Sequence, residues 1–302
     1  MTCRSQSFPI EDYDLATTLS SGQAFRWRFR DGAWEGVIGQ HWVRLRSDPF
    51  SIHAETAEPQ SDWTWLSDYL QLNLDIRKVI RTFPEDEPMK AAVLACRGLR
   101  LLRQDPWECL ASFILSSTKQ IVQIQQIIEL LTERFGEPVV ALSGHGPAYA
   151  FPCPGRLARA TEEQLRACKM GFRAPNLLKT ARAVTDGEID LEKLRRVGVE
   201  NARTQLLELP GVGRKIADCV LLFAYGYQSA FPVDVWVMKA LRQLYFPRRR
   251  VKLPRLHRFA AEHFGPWSGY AQQYLFHYAR TKMGRKKVRS KVRGTRKTAT
   301  NT

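Results

Sequence analysis

Lys215, Cys219 and Asp234 are the residues whose type and spacing could do chemistry, and all three fall within LLELPGVGRKIADCVLLFAYGYQSAFPVDVW (206–236). Leu206, Leu207 and Leu209 close one helix, Pro210 stops it, and Gly211 and Gly213 make a turn that tolerates positive φ and close approach of another backbone. A second helix starts at once. Ile216, Ala217, Val220, Leu221 and Ala224 recur at helical spacing and bury one face, leaving Lys215 and Cys219, four apart, to share another. Lys215 thus stands in a first helical turn, where the helix dipole disfavours a cation, and an uncharged lysine amine is a nucleophile. Asp234 follows Pro232-Val233 and precedes the helical run VWVMKALRQLY, so it is placed to cap that helix. The same lysine beside glycine amides could instead serve only to hold a phosphate.

The remaining composition bounds what such a site could serve. With 302 residues, 44% of them hydrophobic, the chain can build one large or two modest domains. Lys and Arg number 46 against 30 acidic residues, a formal charge of +16. Ten of those charges lie from Arg280 onward, where there is no acidic residue, which leaves +6 for the rest. A polyanionic partner follows from that balance. The six cysteines, Cys3, Cys96, Cys109, Cys153, Cys168 and Cys219, include no CxxC pair, which argues against a zinc or iron–sulfur site. No run approaches membrane-spanning length, and the first residues, MTCRSQSFPIEDYDL, lack the apolar centre of a signal peptide. An intracellular protein with reduced thiols is expected.

The elements that must position the site divide the chain in three. Residues 1–90 read as an antiparallel β-sheet domain with a helix: AFRWRFR (24–30), AWEGVIG (33–39) and HWVRLRS (41–47) alternate between the turn signals Asp31-Gly32 and Gly39-Gln40, placing Trp27, Trp34 and Trp42 inside. DWTWLSDYLQLNLDIRKVIRTF (62–83) has helical periodicity and is expected to cover the sheet. Residues 91–282 read as helical, with Asp105-Pro106 a helix start, a Gly/Pro-rich loop over 144–160 and Thr161 capping the helix after it. Residues 283–302 form a basic tail without apolar periodicity, expected to be disordered and to bind phosphates without sequence preference. The fold class is therefore α+β and mainly α.

LPGVGRK (209–215) followed by PVD (232–234) resembles the helix-hairpin-helix and glycine/proline-rich loop with aspartate of the HhH-GPD DNA glycosylases. GQAFRW (22–27) and QDPWECL (104–110) are similar to motifs of the 8-oxoguanine DNA glycosylase/AP lyases within that superfamily. The resemblance implies a bifunctional enzyme of base excision repair acting on double-stranded DNA that contains a damaged purine, a monomer with no cofactor, no metal and no membrane contact, found where the DNA is. By resemblance Lys215 attacks C1′ of the sugar and leaves an imine, Asp234 stabilises the cationic sugar, and Gly211 and Gly213 grip a phosphate. In the pocket, the Gly22 carbonyl accepts the N7–H that only the oxidised base carries, Gln272 reads its Watson–Crick edge, Phe276 stacks on its plane and Cys219 forms a wall. A carbonyl facing the bare N7 acceptor of guanine would be repelled, a difference of roughly 1–3 kcal/mol.

MGFRAPNLLKTARAV (170–184) resembles the segment whose aromatic, here Phe172, wedges into the stack while the arginine, here Arg173, holds the orphaned base. The sequence departs from the family at three further DNA contacts. Thr118 and Gln123 stand where an asparagine-rich loop and an arginine grip the opposite cytosine, and Trp236 stands where a histidine contacts a phosphate. Gln123 lacks the cationic fork that recognises a base edge bidentately, so a relaxed preference for cytosine opposite the lesion is expected. A glycosylase for another purine lesion, and a non-catalytic helix-hairpin-helix DNA-binding protein, remain the competing readings.

Overall fold

The computed structural model describes residues 2–117 and 119–283. The basic tail from residue 284 and the contact expected of Thr118 lie outside the described residues. Five antiparallel strands, β1 (Cys3–Pro9), β2 (Arg28–Arg30), β3 (Ala33–Ile38), β4 (His41–Ser47) and β5 (Ser51–Gln60), form a sheet in the order β1-β5-β4-β3-β2. Helices make up nearly all of the rest, giving the α+β, mainly α architecture expected from the sequence.

The three alternating segments become strands, with instructive exceptions. Only Arg28–Arg30 of the first is strand, because Gln23, Phe25 and Trp27 are taken up by the junction with the helices. Trp27 and Trp42 are buried as expected; Trp34, paired with Leu45 on the inward face, packs against the same core but is half-exposed, its ring 5.2 Å from that of Phe29. Strands β1 and β5 are not legible in the alternation: β1 is exposed along most of its length, and the inward residues of β5 include small or polar ones such as Ala54 and Thr56. Residues 62–83 are helical as expected but form two helices, Thr64–Leu70 and Ile76–Ile80, of which the first packs beneath the sheet. They serve different cores: Leu66 and Leu70 join Trp27, Val43, Leu45 and Ile52 beneath the sheet, whereas Ile76 and Val79 join the larger helical core. Gln71, in the left-handed region at φ 54°, and the N-cap Asp75 turn the chain between them. The expected loop over 144–160 contains a short strand at Ala148–Tyr149, paired with Pro138–Val139, and a helix at Pro154–Ala158.

GQAFRW is the seam between the two cores. The buried Gln23 amide donates to the carbonyls of Thr18 and Arg100 and to Ser21 Oγ at 2.8–3.0 Å, and its Oε1 accepts the Leu102 amide at 2.8 Å. Phe25 enters the helical core and Trp27 the sheet core, where its Nε1 donates to Tyr69 at 2.9 Å. Arg26 between them pairs with Glu108 of helix Pro106–Leu115 at 3.4 Å.

In the helical half, Val199–Leu207 and Arg214–Val220 form the hairpin and are joined by a buried ion pair. Arg203 Nε donates to Asp218 Oδ1 at 2.7 Å, and Arg214 lies 3.7 Å from the other carboxylate oxygen. Removing one partner of such a pair strands a buried charge. Arg203→Met should therefore lower the unfolding free energy by about 3–5 kcal/mol in denaturant titrations, and a loss under about 1 kcal/mol would show the pair to be worth no more than a surface one.

Candidate active site

The hairpin delivers the lysine. After Leu207 the chain turns through Pro210 and Gly211, whose φ of +79° and contact with Asn176 leave no room for a side chain: a Cβ there would stand 2.6 Å from Asn176 Nδ2. Gly213 is the N-cap of Arg214–Val220, and the backbone continues as a π-helix over Leu221–Tyr225, a deviation frequent near functional sites. Lys215 reaches back toward helix Pro106–Leu115. Its Nζ donates to Ser116 Oγ at 3.1 Å and lies 5.0 Å from the centre of the Phe113 ring. Phe113 is itself held between Phe25 and Phe223, each at 5.6 Å.

Asp234 caps helix Val235–Leu244 and accepts from the amides of Trp236 and Val237 at 3.0 and 2.8 Å, so the capping expectation holds in full. Burial pushes its carboxyl above the usual carboxylate range, against the pull of those two amides and of the Lys215 and Arg280 cations. Burial likewise pushes the Cys219 thiol up to about 12, so this residue is a neutral wall and not a thiolate nucleophile.

Lys215, Cys219 and Asp234 line one open cavity of about 1030 Å³, together with Gly22, Gly211, Gly213, Trp236, Gln272 and Phe276. Gly22 has φ +82°, and a Cβ on it would stand 2.9 Å from Ile121 Cδ1 and 3.5 Å from the Phe276 ring. On helix Ser268–Tyr278, Gln272 is buried, and its Oε1 has no hydrogen-bond partner among the described residues. A buried acceptor left open is costly unless something fills it, and the N–H edge of a base would.

Other expected DNA contacts lie elsewhere. Phe172 is 62% exposed on the short turn Gly171–Arg173. Arg173 is only 2% exposed, and its guanidinium turns inward, donating to the carbonyls of Met170 and Ser117 instead of reaching out. Gln123 is exposed, and its Oε1 accepts the Gln120 amide at the start of helix Ile121–Phe135. Trp236 carries no charge, but Lys239 Nζ lies 5.2 Å from its ring and supplies a cation at the same place. Three cavity or support residues escaped the sequence reading: Ser116, Gln23 and Arg280. Only Arg280 left a signal, its spacing of four from Phe276 and eight from Gln272 on one helix.

Comparison with known proteins agrees with this geometry. Residues 6–110 match the family model of the 8-oxoguanine DNA glycosylase N-terminal domain, and residues 111–265 match that of the HhH-GPD superfamily base excision DNA repair proteins. The chain belongs to the HhH-GPD superfamily. The N-glycosylase/DNA lyase OGG1 of Arabidopsis thaliana is 33% identical, over 89% of this chain and 79% of its own. A probable N-glycosylase/DNA lyase of Methanothermobacter thermautotrophicus is 32% identical, over 90% of this chain and 95% of its own. Among solved structures, the apo 8-oxoguanine glycosylase/lyase of Clostridium acetobutylicum superposes with a TM-score of 0.85 at 33% identity, covering 91% of this chain and 96% of that one. Both the N-terminal sheet domain and the superfamily's helical core are thus accounted for. Among the described residues no helix is long and apolar enough to cross a membrane.

Burial holds the Asp234 pKa above the ordinary carboxylate value, so a step that needs its anion should slow as pH falls through that raised value. Single-turnover rates measured against pH should show an acid limb above the ordinary carboxylate range in the parent enzyme and none in a slow Asp234→Asn variant; an identical limb in both would assign it to another group.

Proposed function

We propose that the protein flips 8-oxoguanine out of duplex DNA, displaces it with Lys215 and then cuts the strand by β-elimination. The observation that carries this reading is the convergence of the Lys215 amine, the buried Asp234 and the open Gln272 acceptor on one cavity, beside a glycine turn that only Gly22 can make. The relatives named as N-glycosylase/DNA lyases, and the 8-oxoguanine glycosylase/lyase neighbour, support the same chemistry.

Flipping a base costs a few kcal/mol, which the Phe172 wedge and a base-shaped pocket offset. In the pocket, Phe276 supports the plane of the base, Gln272 Oε1 accepts from its Watson–Crick edge and the Gly22 carbonyl accepts N7–H. The neutral Lys215 amine attacks C1′: the Nζ–C1′ bond forms, the C1′–N9 bond breaks with its electron pair on the base, and a proton from the new ammonium ends on the base. Asp234 stabilises the positive charge that develops on the sugar. The C1′–O4′ bond then breaks as the nitrogen lone pair forms the C1′=N iminium, O4′ keeps the electron pair and takes a proton from water, and the iminium acidifies the C2′ proton. Loss of that proton expels the 3′ phosphate and cuts the strand. Ser116 orients the amine before attack.

The contacts to the opposite strand are thin, since Gln123 is engaged in capping its own helix and Arg173 is turned inward. Excision should therefore depend weakly on the opposite base. Two measurements check this reading. Borohydride should trap a covalent adduct on a duplex containing one 8-oxoguanine, lost in Lys215→Gln; duplex binding without any adduct would reduce the protein to a binding module. Excision rates opposite the four bases should differ modestly, and a cytosine preference above about a hundredfold, the scale of a good bidentate contact, would count against the relaxed grip.

A further inference from the structure

Arg280 reads by charge as the first residue of the basic C-terminal run, yet the fold places it in the cavity. It stands one turn beyond Phe276, and its guanidinium lies 5.5 Å from the centre of that ring. Nη2 donates to the Ser20 carbonyl at 2.7 Å, and Nη1 lies 3.2 Å from the point a Gly22 Cβ would occupy. No described residue takes a hydrogen bond from Nη1 or Nε, so these donors are available to a ligand beside the Gly22 turn. Burial disfavours the Arg280 cation and Asp234 sustains it, so the two belong to one electrostatic unit.

We propose that Arg280 receives the negative charge of the departing base. The inference rests on the function proposed above. A base stacked on Phe276 with N7 at the Gly22 carbonyl has its five-membered ring on the Arg280 side, and O8 is the atom next to N7. When C1′–N9 breaks, the electron pair left at N9 is shared with O8, while the sugar becomes cationic. Asp234 faces the cation and Arg280 the anion, so each developing charge meets a fixed charge of opposite sign. A preorganised donor aimed at developing charge in a water-poor site is worth far more than one in water. Unmodified guanine has no O8 to offer, so the same arginine favours the oxidised base twice, in binding and in departure.

Base release and the cutting of a preformed abasic duplex separate this role from a structural one, because no base departs in the second reaction. Single-turnover rates for both should be measured in the parent protein, Arg280→Met, Arg280→Gln and Arg280→Lys. The ratio of base release to abasic-site cutting should fall about a hundredfold in Arg280→Met and Arg280→Gln, with part of it restored in Arg280→Lys. An equal loss in both reactions would make Arg280 a fold residue, and full base release in Arg280→Gln, which keeps a donor for Ser20, would make it a pin for the loop. Either result overturns the inference. A parent protein that forms no borohydride adduct on 8-oxoguanine overturns the underlying function and this inference with it, whereas adduct formation with undiminished base release in Arg280→Met overturns the inference alone.

Discussion

Four hydrogen bonds to the buried Gln23 carboxamide hold the turn at Gly22 in place, and the geometry of the cavity follows from them. The same residue's carbonyl accepts Gln104 Nε2 at 2.7 Å, and the Gln104 amide donates to Phe223 in the π-helix that continues the lysine helix. A short chain of polar contacts therefore runs from the glycine turn to the element that carries Lys215. Buried polar groups satisfied in this way rigidify and specify one arrangement, and an unsatisfied one costs more than the bond is worth. A backbone carbonyl held in such a frame cannot rotate to suit a different base, as a side chain could.

The chemistry sits in a second frame, assembled from local sequence. Lys215 and Cys219 share a helix face, Asp234 begins the next helix, and the Phe113 ring lies beneath the amine. Apolar walls make every charge in this space expensive unless it is matched. Asp234 responds by holding its proton more tightly than an ordinary carboxylate, and Arg280 keeps its cation near Asp234. Such a site suits the proposed reaction, in which charge separates with one sign on the sugar and the other on the base.

The legible part of the protein was what short-range patterning encodes. The hairpin glycines, Lys215 and Asp234 as a helix cap are readable because helix geometry converts spacing into facing, whereas Gln272 and Phe276 stand out only through resemblance to the family's final helix. Strands β1 and β5 are not readable, since a strand exposed along its length or lined by small residues carries no strong alternation. The break between Thr64–Leu70 and Ile76–Ile80 was hidden because both halves are apolar and only the existence of two cores separates them. Side-chain direction was the other blind spot. Arg173 turns in and Arg280 turns toward the cavity, and neither choice is written in residue type; each depends on which carbonyls, Ser117 or Ser20, tertiary packing brings within reach.

The proposed function makes lesion choice a property of the Gly22 turn fixed by Gln23, separable from the lysine chemistry. The direct test is the equilibrium affinity of Lys215→Gln for duplexes bearing 8-oxoguanine, guanine or an abasic site, with Gln23 intact and with Gln23→Leu. The ratio of 8-oxoguanine to guanine affinity should fall about tenfold or more when Gln23 is replaced, as expected for one lost hydrogen bond and one relieved repulsion, while abasic-site affinity is retained. An unchanged ratio alongside retained abasic-site binding would contradict the claim and move lesion choice to other walls of the cavity.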